Sequence, residues 1–439
     1  MVGRGAGHGA EPCATSRSSR DSSRSILAGV TIPTPLHEAT ARHCESLLYK
    51  DWAGYHAIAS YDTCHEREYY ALREAAGLID VSPLFKYRIR GPQAVDLLDR
   101  VITRRIRTVK PGTVVYTCWC DERGKVLDDG TVTCLAQQDY RMTSAHPNLR
   151  WLQDASVGLE VEIEDESPAL AALSVQGPRS RDVLDAATGG AVTTLGFFKH
   201  THAEIAGKAV EVTRTGYTGD LGYEVWIPAA DAVEVYDAIL AAGQPFRAIP
   251  CGLTAMDVTR IEAGFVLIDV EYYSARDAMI PRHLVSPYEI GLGWTVHFKQ
   301  KGAFIGRAAL ERELAEGSTP EKLVGLVCDW TAIEEAFARF GLPPSIGSAP
   351  WRDGRPVYDS RGRQVGRATS GTWSPILKAN IALASLDALY AEPGVKLNLE
   401  LTIEYERLSV PAKVVERPFF DPPRKRSTPA KAKQEPVGA

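Results

Sequence analysis

Apolar and polar positions change period several times along the chain. Over His65–Ala76, Tyr69, Leu72 and Ala76 fall on one helical face, which predicts a helix. "GLIDVSPLFKYRIRG" then reads as strands broken at Pro83. Gly91–Val101, "GPQAVDLLDRV", predicts a helix with proline in its first turn. "GTVVYTCWC" and "GKVLDDGTVTCLAQQDYRMTSA" predict strands joined by a tight turn over Asp121–Gly124. A second block repeats the alternation. It runs strand "LAALSVQGP", helix "SRDVLDAAT", strand "KAVEVTRT", strand "YEVWIP" and helix "DAVEVYDAILAAG". Gly-Pro followed by a short amphipathic helix occurs after a strand twice, at Gly91–Pro92 and Gly177–Pro178, which suggests two related α+β halves. From about Lys322 the pattern is all-β, with short strands and Gly-rich turns, as in a small barrel. The predicted fold class is α+β with a C-terminal β-barrel domain.

At 439 residues the chain exceeds a single core, so two or three domains are expected. The composition divides it into a disordered leader over 1–34, a body over 35–300 with two α+β subdomains, a barrel over 322–422 and a disordered tail over 423–439. The Arg/Ser-rich leader would also suit a transit peptide, but its amphipathic spacing is poor. A net charge of −5 argues against nucleic acid as a partner. No apolar run approaches the roughly 20 residues that span a bilayer, and the N-terminus lacks an apolar signal region, so no membrane association is expected. The cysteines are scattered without a CxxC pair. Cys118 and Cys120 would share a strand face with Tyr116, and free thiols in a reducing cytoplasm are expected, with no metal site.

Three stretches carry candidate chemistry. In "GKVLDDGTV", Asp128 and Asp129 are adjacent on a strand and must point to opposite faces. One can face a pocket as an acid, base or cation stabiliser, although Asp-Asp-Gly is also a common turn. In "RTGYTGDLGYEVWIP", Gly216, Gly219 and Gly222 precede a strand on which Glu224 and Trp226 share a face. The segment leads into a strand and lacks the Lys-Ser/Thr of a P-loop, so it is no phosphate cradle. A carboxylate beside an aromatic suits a flat heterocycle with a guanidine-like donor edge, and a Gly-rich hairpin with an ordinary edge glutamate fits equally well. In "CGLTAMDVTRIEAGF", Asp257 and Arg260 can pair at i,i+3, as a structural ion pair would.

Taken in order, "EAAGLIDVS", "RGPQAVDLL", "GKVLDDGTV", "LSVQGPRS", "RTGYTGDLGYEV", "GLTAMDVTRIEAGF", "SPYEIGLGWTV", "FIGRAAL" and "RATSGTWSPILKANIALA" resemble the glycine-cleavage T-protein (aminomethyltransferase) superfamily. The resemblance spans roughly Glu68 to Pro422. It implies three domains around a central folate pocket, and one-carbon transfer to tetrahydrofolate from a small-molecule donor. It implies Asp128 as the catalytic aspartate, Glu224 as the glutamate at the pterin edge, and Tyr116, Tyr217 and Trp226 as folate-lining residues. Met256 and Arg260 fall in the implied substrate site. A lipoyl carrier protein is an implied partner. This chain departs from the family pattern in reading "AMD" for "ARD", so that Met256 replaces an arginine, and "DVSP" for "DVSH". Arg123, Gly124 and Lys125 stand where the family usually has a Gly-Gly pair, and "DWTAIEEAFARFGLPPSIGSAPW" is inserted in the barrel. Loss of the arginine bears on lipoyl-bound transfer and leaves tetrahydrofolate as the acceptor. It favours, as an alternative, a folate-dependent demethylase of an N-, O- or S-methyl compound. A non-catalytic folate-binding accessory protein is the alternative of another class, against which the retained aspartate speaks.

Overall fold

The computed structural model describes residues 31–299 and 301–429. Most of the expected leader and the end of the expected tail lie outside the described residues. Two antiparallel-rich sheets form the body. One has five strands in the order Thr113–Cys120, Val126–Ala136, Asp139–Ser144, Phe85–Arg90, Glu162–Asp165, all antiparallel. The other has six, in the order His200–Ile205, Lys208–Thr213, Gly222–Pro228, Leu170–Gln176, Ala76–Asp80, Ala248–Pro250, with the last pair parallel. A closed six-stranded barrel follows, from Glu321–Cys328 to Glu406–Val415. A hairpin, Leu48–Trp52 with Tyr55–Ser60, precedes the predicted helices.

Each sheet buries one face under its own helices. Tyr223, Val225 and Ile227 point into a core with Val183, Leu184, Val235 and Ile239. Tyr87, Ile89, Leu97, Leu98, Trp119 and Val132 make the equivalent core of the five-stranded sheet. Both Gly-Pro corners turn a strand into a helix at a glycine with positive φ, +124° at Gly91 and +116° at Gly177. A Cβ there would come within 2.8 Å of the Glu160 carbonyl oxygen and 2.7 Å of the Ala75 one, so only glycine fits.

The other faces of the two sheets meet. Arg141 crosses from the five-stranded sheet and grips Glu211 of the six-stranded one with two bonds, 2.8 and 3.1 Å long. Helix Leu253–Glu262 ties body to barrel through two buried glutamates. Glu262 takes Arg73 Nη2 at 2.6 Å, Tyr69 at 2.6 Å and Ser374 of the barrel at 2.5 Å. Glu271 takes Arg260 at 2.7 Å and, from the barrel, Ser370 at 2.5 Å and Thr369 at 3.1 Å. Every acceptor oxygen in these hubs meets a donor, which offsets the cost of burying the charges.

Among the described residues, the inner margins of the expected leader and tail are packed against the body. Thr34 donates to Asp80 at 2.6 Å. Arg424 forks onto Asp220 with two 2.7 Å bonds. Buried Arg214 bonds to the carbonyls of Arg424, Lys425 and Ser427 and to the Thr428 hydroxyl. The polar, Lys/Arg-rich composition of the tail hides this, because its partners are buried charges more than 200 residues upstream rather than apolar surface.

Candidate functional site between the sheets

The aspartate pair sits on the strand Val126–Ala136, opposite Trp119 and Cys118 respectively. Asp128 turns into the core of the five-stranded sheet and is fully buried. Its Oδ1 accepts the Asp129 N–H at 2.8 Å, and its Oδ2 accepts the His146 N–H and Asn148 Nδ2, both at 3.0 Å. Asn148 is pinned in turn, its Oδ1 accepting from Trp119 Nε1 at 3.3 Å and Arg276 Nη2 at 2.5 Å. Burial, and then the neighbouring Asp129 charge, push Asp128 up to about 7 against the pull of these N–H donors. Asp128, which the resemblance implies as the catalytic aspartate, is thus surrounded by N–H donors of its own sheet and the following segment. It is an interior acceptor that docks the segment 146–148.

Asp129 takes the other face, toward the six-stranded sheet. It is half-buried, and both oxygens accept phenol hydroxyls: Oδ2 from Tyr116 at 2.5 Å and Oδ1 from Tyr272. Burial raises its carboxyl above the ordinary range, and the two phenols pull it back. Tyr116 stacks on Trp294 at 5.9 Å, and the Arg104 guanidinium lies 5.3 Å from the Trp294 ring. Trp294 is 57% exposed, so this stack opens to solvent. Tyr217 lies close enough for the Asp129 charge to act on its phenol, which burial raises strongly. Its hydroxyl donates to the Val266 carbonyl and its ring stacks on Phe265 at 5.6 Å.

Across from this group stands Glu224 on Gly222–Pro228. Its Oε2 accepts from Thr215 at 2.5 Å, Thr215 meets Thr213 at 2.8 Å, and Trp226 Nε1 donates to Thr213 at 3.1 Å. Burial raises the Glu224 carboxyl, and the Thr215 and Thr213 hydroxyls oppose the shift. The predicted role of Trp226 as a ring against the heterocycle does not fit its surroundings. It is 3% exposed, packs among Leu72, Ile79 and Ala172, and lies 5.6 Å from the Arg141 guanidinium. Trp226 instead starts the hydroxyl chain that fixes Glu224.

The glycines of "RTGYTGDLGYE" make room for a buried side chain. A Cβ on Gly216 or Gly222 would come within 2.1 or 2.0 Å of the Gln176 side-chain oxygen. The loop wraps that amide, which donates to Ser174, Thr215 and Tyr223 and accepts from Thr218. Gly219 has φ +76° and faces Ala263.

Met256 and Arg260 share one helix but not one environment. Met256 is half-buried at the margin of an apolar cluster with Trp52, Leu84 and Ile376. Arg260 is fully buried, with Nε on Asp257 at 2.7 Å and Nη1 on Glu271. The second oxygen of Asp257 accepts Nε of Arg352, from the barrel, at 2.8 Å. Tyr272, Trp294, Arg104 and Arg352 escape the sequence reading because they lie in segments without periodicity. The aromatic-rich strings "EYY" and "GLGW" are the available signal for the first two.

The family model described as the GCVT N-terminal domain matches residues 36–300. The one described as the glycine cleavage T-protein C-terminal barrel domain matches 339–421. The chain is 33% identical over 377 residues to the aminomethyltransferase of Streptomyces coelicolor, covering 84% of this chain and 93% of that protein. It is 34% identical over 357 residues to the aminomethyltransferase of Halothermothrix orenii, covering 80% and 90%. The solved structure of aminomethyltransferase T of the glycine cleavage system from Bartonella henselae shares the fold, with a TM-score of 0.74 at 24% identity over 89% of this chain and 98% of that one. The order of sheets and barrel, the paired carboxylates on facing sheets and these matches together make the chain a member of the glycine cleavage T-protein family of transferases.

Proposed function

We propose that the chain transfers a one-carbon unit from a small donor to tetrahydrofolate, as an aminomethyltransferase does, with Asp129 rather than Asp128 at the reacting atoms. The observation that carries this reading is the half-buried Asp129 carboxylate, held by Tyr116 and Tyr272 on the sheet face opposite Glu224. The donor set suits a reduced folate. Glu224 offers a fixed carboxylate to the amino-pyrimidine edge of a pterin, and Tyr116 with exposed Trp294 offers aromatic surface leading outward. Bound tetrahydrofolate supplies the amine that accepts the carbon.

The chain's own residues supply placement, charge and proton handling. Glu224, oriented by Thr215, fixes the acceptor's orientation. Asp129 stabilises cationic character developing on the transferred carbon and takes up the proton released at the accepting nitrogen. Tyr116 and Tyr272 donate to that carboxylate, which favours its ionised form against burial and aims it. Burial of the Asp129 and Glu224 carboxyls strengthens their interactions with a bound partner.

A donor screen with tetrahydrofolate tests the reading. Formation of 5,10-methylene-tetrahydrofolate supports aminomethyl transfer, and 5-methyl-tetrahydrofolate supports demethylation. No folate product with any donor would overturn an enzymatic role in favour of an accessory folate-binding protein. A lipoyl carrier protein belongs in that screen as the donor of the glycine cleavage reaction. No helix among the described residues is long and apolar enough to cross a membrane.

A further inference from the structure

Three cationic groups converge on one end of the space between body and barrel, and the acids there do not balance them. Arg260 is neutralised by Asp257 and Glu271 and still keeps one N–H group, Nη2, buried without a hydrogen-bond partner among the described residues. Asp257 must also serve Arg352, whose Nε bonds to its second oxygen. Glu271 is already engaged by the Leu267 N–H, Thr369 and Ser370. The third cation is Lys50, on the hairpin strand Leu48–Trp52. Its ammonium has no hydrogen bond or ion pair among the described residues. Burial lowers its pKa first, the Arg352 charge lowers it further, and Asp257 opposes both, so all three groups lie within electrostatic reach of one another. Lys50 and Arg352 are both exposed, so an anion can reach the two like charges and offset their repulsion.

The elements that deliver these cations are braced for it. Arg352 directly follows segment 329–351, which the sequence pattern marks as an insertion. That segment docks on the body where His65 Nε2 bonds to the Ser348 carbonyl at 3.1 Å. It docks on the barrel through paired backbone bonds between Trp351 and Gly371, 2.9 and 3.0 Å long. A Cβ on Gly371 would meet the Trp351 ring at 2.2 Å, so the barrel strand is shaped to accept this loop. Arg352 keeps 41% of its side chain exposed while holding Asp257, which leaves its remaining N–H groups free to take a ligand. Trp52, two residues from Lys50 on the same strand face, packs in the cluster that also contains Met256. An apolar floor of Trp52 and Met256 beside two cations with open donors defines a small amphipathic niche next to Asp257.

We propose that Arg352 and Lys50 form an anion subsite that binds the carboxylate of a small one-carbon donor, with Met256 and Trp52 under its apolar part. The inserted barrel segment is then a specificity element: it brings Arg352 to the donor end of the cavity. This proposal rests on the reading of the space between the two facing sheets as the folate-dependent transfer site. It narrows the donor from any methylated or aminomethylated compound to a small monocarboxylic acid.

The probes are N-methylglycine and N,N-dimethylglycine, each with its neutral amide, titrated calorimetrically into the full chain saturated with tetrahydrofolate. Lys50→Met is the informative variant because the Lys50 ammonium has no hydrogen bond or ion pair among the described residues, while its backbone pairing with Ala57 is kept. Arg352→Gln and Arg352→Lys accompany it. The expected result is binding of at least one acid at least tenfold tighter than its amide. Lys50→Met and Arg352→Gln should each reduce that preference to within about twofold, and Arg352→Lys should retain part of it. Tetrahydrofolate affinity, measured separately, should be unchanged in all three. Equal binding of acid and amide, binding of neither, or an acid preference that survives both neutralising variants would overturn the subsite. Failure of the wild-type chain to bind tetrahydrofolate would instead overturn the proposed function.

Discussion

Replacing Glu224 by Gln tests the pterin-edge assignment with little change of shape. The amide keeps an oxygen for the Thr215 hydroxyl, now 2.5 Å from Oε2, so the hydroxyl chain to Trp226 survives. What changes is the other half of the group. A charged acceptor for N–H donors becomes an NH2 that opposes them. A hydrogen bond to a charged partner contributes about 1.5–3 kcal/mol. That corresponds to roughly a 10- to 150-fold weaker Kd at 25 °C. Calorimetric titration of tetrahydrofolate should show this loss with an unchanged stoichiometry. Thr215→Val should cost less, about 0.5–1.5 kcal/mol, because the carboxylate keeps its charge and loses only its orienting donor. An affinity within twofold of wild type for Glu224→Gln would refute the assignment, and the facing-sheet account of the cavity with it.

Other perturbations have equally definite outcomes. Gly222→Ala should lower stability by about 1–3 kcal/mol in urea titration, because its Cβ would overlap the Gln176 amide, the approach being 2.0 Å. Arg424→Ala should lower the thermal midpoint by several degrees, since it leaves buried Asp220 with Arg73, at 3.9 Å, as its nearest cation. Asp128 carries a folded-state pKa near 7, above the ordinary aspartate value. The folded chain therefore holds more protons than the unfolded one between about pH 4 and 7, and the Asp128 contribution to stability falls as pH rises through that window. The difference in unfolding free energy between wild type and Asp128→Asn should shift with that sign, and a flat difference from pH 4 to 7 would contradict it.

Much of the fold is legible in period and punctuation. The helices Ser180–Thr188 and Ala232–Gly243 and the strands Leu170–Gln176 and Gly222–Pro228 follow their apolar spacing closely. The hairpin at 48–60 is not, because its strands are short and its first one is largely polar and exposed. Residue-level chemistry is harder. Alternation says that Asp128 and Asp129 part company but not which faces the cavity. That choice depends on Trp119 and on Asn148, 20 residues downstream. The glycines of "RTGYTGDLGYE" look identical whether they approach a ligand or a buried glutamine, and Gln176 lies on a different strand. Arg352 is invisible as a partner of Asp257 because 95 residues and a domain boundary separate them.

Transfer is proposed to depend on Asp129, and single-turnover rates of Asp129→Asn and Asp128→Asn, each with its unfolding curve, test this most directly. Asp129→Asn should fold like wild type, bind tetrahydrofolate and lose transfer by at least about 100-fold, as expected for a positioned acid–base group. Asp128→Asn should lose stability, by about 2–4 kcal/mol from misplacing an NH2 against buried N–H donors. The fraction that remains folded should keep most of its rate. A folded Asp129→Asn with near-normal rate, beside a stable but inactive Asp128→Asn, would contradict the assignment.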